Sequence, residues 1–455
     1  MPQQLALFIC ILFILWLFAR DRKLRPMTSW ALWIPLLWIM IIGSKPISLW
    51  FDVGAQFQRI EDYTEGSPLD RNASLLLIVV GMVALLRRRI DWGRVFASNR
   101  WVFAFFFYCL VSLIWSDYPF VGFKRWIKDV GNIVMVLIIL TESDHVQAAK
   151  AVLARYTSFA IPLSVVFIKY FSGLGRYYNP FSGEAGYCGI ASNKNELGCA
   201  LFICGVFWVW DLLEMRSAGN RNRKTDRIDL LVRIALLLML GWLMDKANSM
   251  TALMCLIIGA GIVLFMRFPF ARRQVRYLGT YSLVVGLLII ALYTVPGIFE
   301  TSMEMLGRDT TLTGRTDIWV ACLSVPINPI LGAGYRSFWQ SPGTQRIFEQ
   351  YYWRPVQAHN GYLEAYLNGG LVGVCLLIAM IISTGSKLKK ELLLGSSFGI
   401  LCFSFLVVGV FYSWTEALFN QLSIVWLIML MAALKDLRSP GSMQEKRALN
   451  ANGFR

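Results

Sequence analysis

Runs of apolar residues, each about 15 to 23 long, recur along the whole chain, and this pattern leaves few folds open. In a helix, ~20 such residues cross the ~30 Å hydrocarbon core of a bilayer. Thirteen spans are predicted, at 5–19, 28–49, 73–86, 100–116, 127–141, 156–172, 196–213, 231–246, 250–266, 277–295, 361–383, 392–412 and 418–434. A β-barrel is excluded, because the runs do not alternate polar with apolar residues. Of the 455 residues 16% are charged, against the ~25% of soluble domains. The expected fold is an all-α polytopic membrane protein of about 12–13 transmembrane helices. It is a single integral membrane domain over residues 1–455, with one large loop at 296–360 before the last three helices. The run Leu5–Ala19 reads as a span, not a cleavable signal. No basic segment precedes it, and Arg20-Asp21-Arg22-Lys23 follows it.

Charge then orients the bundle. A net charge of +16 would suggest a nucleic-acid partner in a soluble protein. Here it belongs to Arg20–Arg25, Arg87–Arg94, Arg216–Arg233, Arg267–Arg276, Lys387–Lys390 and the tail Lys435–Arg455, all on one side of the predicted bundle. The positive-inside rule makes that side cytoplasmic, so the expected partner is the lipid bilayer and not nucleic acid. Three segments lie on the outer side: Phe51–Asn72, Gly173–Asn195 and Pro296–Asn360. Within the last, Arg315–Ser324 is predicted as a short amphipathic helix. Its face of Ile318, Trp319 and Cys322 would lie on the bilayer surface beside Trp339 and Trp353. On the inner side Asp144–Arg155 is predicted as a surface helix. The nine cysteines show no CxxC pair and no Cys/His ligand spacing, so no metal site or disulfide framework is indicated. Neither GxxxxGK[ST] nor a GxGxxG after a strand occurs, and no cofactor is expected.

The candidate chemistry gathers on the outer side. His359 is the outward-facing member of the two histidines, and an imidazole titrates near neutrality. Arg315 opens a predicted helix, where a planar fork of donors adds to the anion-favouring helix N-terminus. Lys194 stands between Asn193 and Asn195 at another helix start, with the asparagines as caps. Arg176 and Arg336 are further cations on that side, and Asn195 and Asn360 are polar neighbours expected to bind substrate. Each residue alone has an ordinary alternative: a packed interfacial histidine, an arginine meeting headgroups, a simple cap. Together they suit an anionic lipid headgroup, above all a lipid-linked diphosphate. ATP is not expected outside, so a reaction there needs a preactivated substrate.

Three blocks carry a resemblance. They are Gly-Ile-Ala-Ser-Asn-Lys-Asn-Glu-Leu-Gly (189–198), Gly-Arg-Thr-Asp-Ile-Trp (314–319) leading to Asn-Pro-Ile-Leu-Gly-Ala-Gly (328–334), and His-Asn-Gly-Tyr-Leu (359–363) leading to Gly-Gly-Leu-Val-Gly (369–373). They resemble the O-antigen ligase and polysaccharide polymerase superfamily of bacterial inner membranes. Trp-Ile-Pro-Leu-Leu-Trp (33–38) and Trp-Ser-Asp-Tyr-Pro (115–119) are similar to its exopolysaccharide-production branch. The resemblance implies a multi-pass inner-membrane protein whose large loop and active face are periplasmic. It implies glycan transfer from an undecaprenyl-diphosphate-linked donor to the hydroxyl of a glycan or lipid-linked acceptor, independent of metal and nucleotide. By position, Arg315 would bind the diphosphate and His359 would activate or orient the acceptor. Relatives often carry arginine where this chain has Cys188, so part of the expected cation clamp is either missing or supplied elsewhere, by Arg176 or Lys194. Polymerase and ligase share the donor and differ in the acceptor.

Two other functions fit such a bundle: a transporter of polysaccharide or lipid-linked sugar, and a scaffold for an export complex. A transporter calls for ionisable groups near mid-span. The spans carry almost none, Lys169 and Glu416 lying near outer ends. A scaffold would tolerate Arg315→Lys, and a bidentate phosphate site would not.

Overall fold

The computed structural model describes residues 1–51, 67–178, 183, 185–217, 223–284, 286, 315–351 and 355–435. Most of the predicted span 277–295, Gly314, Trp353 and nearly all of the basic tail lie outside the described residues. The principal helices are α1 (Gln3–Leu24), α2 (Trp33–Ile42), α3 (Pro68–Leu86), α4 (Arg100–Val111), α5 (Pro119–Leu140), α6 (His145–Tyr170), α7 (Lys194–Ser217), α8 (Arg223–Ala247), α9 (Met250–Phe265), α10 (Arg315–Ser324), α11 (Gly361–Leu393), α12 (Ser397–Tyr412) and α13 (Ile424–Ala433). A two-stranded antiparallel hairpin, β1 (Arg176–Tyr178) with β2 (Ala185–Tyr187), pairs Arg176 with Tyr187.

Among the described residues five helices are long and apolar enough to cross a membrane, namely α1, α3, α6, α7 and α11. The number rises to seven if each bent pair is one span: Trp92–Ser98 with Arg100–Trp115 at 89°, and Met250–Phe265 with Pro269–Val284 at 97°. Trp30–Ile42, Ser397–Tyr412 and Ile424–Ala433 are apolar but shorter. The protein is thus an all-α polytopic membrane protein, with many predicted runs only partly helical. The run 392–412 breaks because α11 continues to Leu393 and the chain turns at Gly395, where φ is +75°, before Ser396 caps α12. The run 418–434 shortens because Asn420 adopts a φ of +58° and Ser423 caps α13, its Oγ accepting from Trp426 N at 3.1 Å.

The predicted surface helix at 144–155 is a correction. Asp144 Oδ1 accepts from the amides of Val146 and Gln147, both at 3.1 Å, and so starts a helix that runs unbroken to Tyr170. Its alanine-rich first turns are buried against α1, because small side chains let the two helices approach. In the same way α3 packs on α5, α4 on α11, α7 on α8 and α9, and α12 on α9 and α13. Every residue of α13 is buried. A helix apolar on all sides has no solvent face and belongs inside the bundle. The outward faces of α1 and α3 expose Phe8, Leu12, Trp16, Leu76 and Val80, as a lipid-facing surface should.

One end of the bundle is held by ion pairs. Arg155 Nε donates to Asp21 Oδ2 at 2.8 Å, and Arg25 pairs with the same carboxylate. Arg20 reaches Asp229, Arg233 Nε donates to Asp211 at 2.9 Å, and Arg88 meets Glu142. These are the ends that the basic-residue pattern assigns to the cytoplasm. Asp21→Ala leaves Arg155 buried without its carboxylate, a loss of about 3–5 kcal/mol. The expected outcome is a clearly lower thermal unfolding midpoint in detergent, largely recovered when Arg155 is also replaced by methionine.

Candidate active site

At the other end, helix termini and loops enclose a cavity of about 660 Å³. Its walls come from the starts of α3, α5, α7 and α11, the ends of α2, α4 and α12, and the segments 335–340 and 417–424. Each of these ends is one that the charge pattern places outside. Asp70, Arg125, Lys128, Lys194, Arg336, His359, Glu364 and Glu416 all face the cavity.

Glu416 joins the pieces. Its Oε1 accepts from Asn195 Nδ2 at 3.2 Å and from Arg315 Nη2 at 3.1 Å, and its Oε2 lies 3.0 Å from His359 Nδ1. Arg315 Nη1 also donates to the Thr415 carbonyl. A carboxylate only accepts, so this contact calls for the imidazole proton on Nδ1, and in the neutral ring that tautomer leaves the Nε2 lone pair free. Asn195, Arg315 and His359 come one from each of the three blocks picked out in the sequence. Their meeting point lies more than forty residues beyond the last block, in the turn between α12 and α13.

The other predicted residues divide. Lys194 lines the cavity at the first position of α7, where Asn193 Oδ1 caps the helix by accepting from Glu196 N at 2.9 Å. Arg336 also lines it. Arg315 does not; its guanidinium is bound behind Glu416. Arg176 is turned away, with Nε and Nη2 donating to the Ile168 carbonyl at 3.0 and 2.8 Å and the guanidinium 5.5 Å from the Tyr187 ring centroid. Asn360 is occupied as the cap of α11, Oδ1 accepting from Tyr362 N and Leu363 N at 3.0 and 3.1 Å. Cys188 is buried away from the cavity. Of the two substitutes for the arginine expected there, only Lys194 reaches it.

The face of α10 predicted to lie on the bilayer is turned inward. Ile318 and Cys322 form a second, small core with Val325, Phe338, Ile347, Ala358 and Leu367. Trp319 Nε1 donates to the Ala358 carbonyl at 2.8 Å, and Trp339 Nε1 to Glu364 Oε1 at 2.7 Å. The loop buries its apolar side chains in itself because enough of them converge to exclude water. It is fixed to α4 and α5 as well: Tyr335 N donates to Ser112 Oγ at 3.0 Å, and the Tyr335 hydroxyl donates to Asp129. Burial, reinforced by Asp129, pushes that phenol well above the usual tyrosine range and keeps it a donor. Of the four non-glycine residues at positive φ among the described residues, Arg336, His359 and Asn420 all line the cavity. Left-handed backbone of this kind concentrates at functional sites.

Sequence reading gave no role to Glu416, Glu364, Arg125 or Lys128. Glu416 carried a signal, a lone carboxylate between two apolar runs. Arg125 and Lys128 carried another, since their i, i+3 spacing puts both on one helix face.

Residues 234–378 match the family described as O-Antigen ligase. That stretch holds Arg315, Arg336 and His359, while Asn195 and Glu416 lie outside it. Over 328 residues the chain is 24% identical to "Exopolysaccharide production protein ExoQ" of Rhizobium meliloti (strain 1021), covering 67% of this chain and 69% of that one. The chain therefore resembles the O-antigen ligase and polysaccharide polymerase superfamily, in its exopolysaccharide-production-like branch.

Proposed function

We propose that the protein transfers glycan from an undecaprenyl-diphosphate-linked donor to an acceptor hydroxyl, at the periplasmic face of a bacterial inner membrane. The observation that carries this reading is the Glu416 junction, which sets His359 on the wall of the cavity with Lys194 and Arg336 as cations within it. The acceptor oxygen attacks the anomeric carbon while His359 Nε2 takes its proton. The carbon–oxygen bond to the diphosphate breaks, and its electron pair leaves with the phosphate. Glu416 holds the ring through Nδ1 and stabilises the imidazolium that forms, the orienting role of a third group behind a base. Lys194 and the capped start of α7 meet the charge growing on the leaving group, where preorganised cations in a water-poor site act most strongly. Arg315, expected to grip the diphosphate, instead anchors Glu416 and reaches phosphate only by exchanging that partner.

Two substitutions test the junction. Glu416→Gln keeps the shape but removes the charge that serves both His359 and Arg315. A charge-assisted hydrogen bond contributes about 1.5–3 kcal/mol, so transfer from purified lipid-linked donor should slow by about 10- to 100-fold. Arg315→Lys, which cannot span Thr415 and Glu416 with a fork, should slow it similarly. Full transfer in both variants would remove the junction from the mechanism.

A further inference from the structure

Glu364 borders the cavity, yet the proposed chemistry gives it no part. Its carboxylate is buried and ties three segments together. Oε1 accepts from Trp339 Nε1 and from Ala358 N, both at 2.7 Å, and Oε2 accepts from Asn368 Nδ2 at 3.0 Å. Ala358 is fully buried, and its carbonyl accepts from Trp319 Nε1 at 2.8 Å. Its amide and its carbonyl are therefore both held by side chains, at a position that belongs to no helix or strand.

The next residue is His359, at φ +49°. Left-handed backbone is unfavourable for a residue with a Cβ and persists only where the surroundings over-determine it. Here both flanks are fixed. Ala358 is clamped on one side. On the other, Asn360 Oδ1 caps α11, and Gly361 N donates to the Ser413 carbonyl at 2.7 Å.

Two partners compete for His359 Nδ1. Glu416 Oε2 lies 3.0 Å from it, and Gln357 Nε2 lies 3.4 Å from it on the other side of Ala358 in the chain. An amide nitrogen donates, so Gln357 calls for a bare Nδ1 and, in the neutral ring, a proton on Nε2. Glu416 calls for the reverse. The choice of partner decides whether Nε2 has a lone pair to offer, and Ala358 is the residue that joins Gln357 to His359.

We infer that Glu364 is a positioning residue. Through Ala358 it holds His359 in the conformation that gives Nδ1 to Glu416 and not to Gln357, and so keeps Nε2 free to act as a base. This rests on the transfer reading above and adds to it how the base is kept in its working form. The chain has two histidines, so nitrogen NMR of isotope-labelled histidine identifies His359 as the signals missing from His359→Asn. The spectra are taken on the full-length protein in lipid nanodiscs at alkaline pH. Wild type should show the ring protonated on Nδ1. Glu364→Met keeps the length of the side chain without its oxygens, and should move the signals towards the ring protonated on Nε2. Trp319→Phe cuts the other side of the clamp while keeping a ring in the small core, and should move them the same way. Turnover at saturating substrate should fall in both by about 10- to 100-fold, the effect of a misplaced reacting group. Combined with His359→Asn, neither should lower the residual rate further. Ile347→Val weakens the same small core without removing a hydrogen bond of the clamp. It should lower the unfolding midpoint and leave signals and rate as they are. A wild-type ring protonated on Nε2 would overturn the assignment, as would signals that stay unchanged in both clamp variants. Rates that fall as far in the His359→Asn background as in wild type would also overturn it. If the signals move as expected but wild type transfers no glycan, the positioning role stands and the transferase reading falls.

Discussion

Replacement of His359 by asparagine should slow glycan transfer by about 100- to 10,000-fold, the range for loss of a general base. Asparagine is the informative choice. His359 sits at φ +49°, and asparagine tolerates left-handed backbone better than alanine does. Its amide also donates, so Glu416 keeps a hydrogen bond and the junction with Arg315 and Asn195 persists. What is lost is the Nε2 lone pair on the cavity side. The rate constant at saturating substrate should fall, with little change in donor affinity, because the proposed diphosphate contact is Lys194 and not His359. His359→Ala should lose as much activity and more stability. Unchanged turnover in the asparagine variant would reduce His359 to a structural residue.

Gly370→Ala should damage the protein as severely by another route. Within α11 this residue stands at φ +58°, ψ −162°, a region essentially confined to glycine. A Cβ there would lie 2.3 Å from the backbone carbon and oxygen of Ile330. Backbone cannot swing aside as a flexible side chain does, so strain and overlap add to about 2–6 kcal/mol. The kink exists to admit the segment before Arg336. Leu371 N donates to the Pro329 carbonyl at 2.9 Å and Val372 N to the Ile330 carbonyl at 3.2 Å. Ala333 N donates in return to the Leu367 carbonyl at 2.9 Å. Tyr108 closes the break through its hydroxyl, 2.7 Å from the Gly369 carbonyl. Alanine should expel this segment, displace Arg336 and lower both thermal stability and transfer. The control is Gly385→Ala in the same helix, whose Cβ meets nothing within 4 Å; there alanine should be neutral or slightly stabilising. Equal effects of the two substitutions would refute the role of the kink.

Much of this was legible before any coordinates, because a bilayer imposes simple rules on sequence. Apolar runs marked the helices, and basic loops separated the end with ion pairs from the end with the cavity. The three blocks each supplied one partner of Glu416. The partner itself stayed hidden, since nothing local in Trp414-Thr415-Glu416-Ala417 says that three distant segments converge on it. Arg176 and Asn360 show the same gap between residue type and local contacts. Both were expected to bind substrate from residue type and predicted side, but Arg176 donates to the Ile168 carbonyl and Asn360 caps its own helix, contacts that residue type alone does not reveal. The α10 face was amphipathic as expected. Its burial depended on Phe338 and Ile347, which periodicity within ten residues does not reveal.

The most direct measurement is product formation by the purified protein in liposomes, supplied only with lipid-linked glycan and an acceptor hydroxyl. The account predicts that undecaprenyl diphosphate is released one for one with each glycan transferred by the wild type, at a rate that collapses in His359→Asn. No release from the wild type, or release from His359→Asn at the wild-type rate, would contradict it.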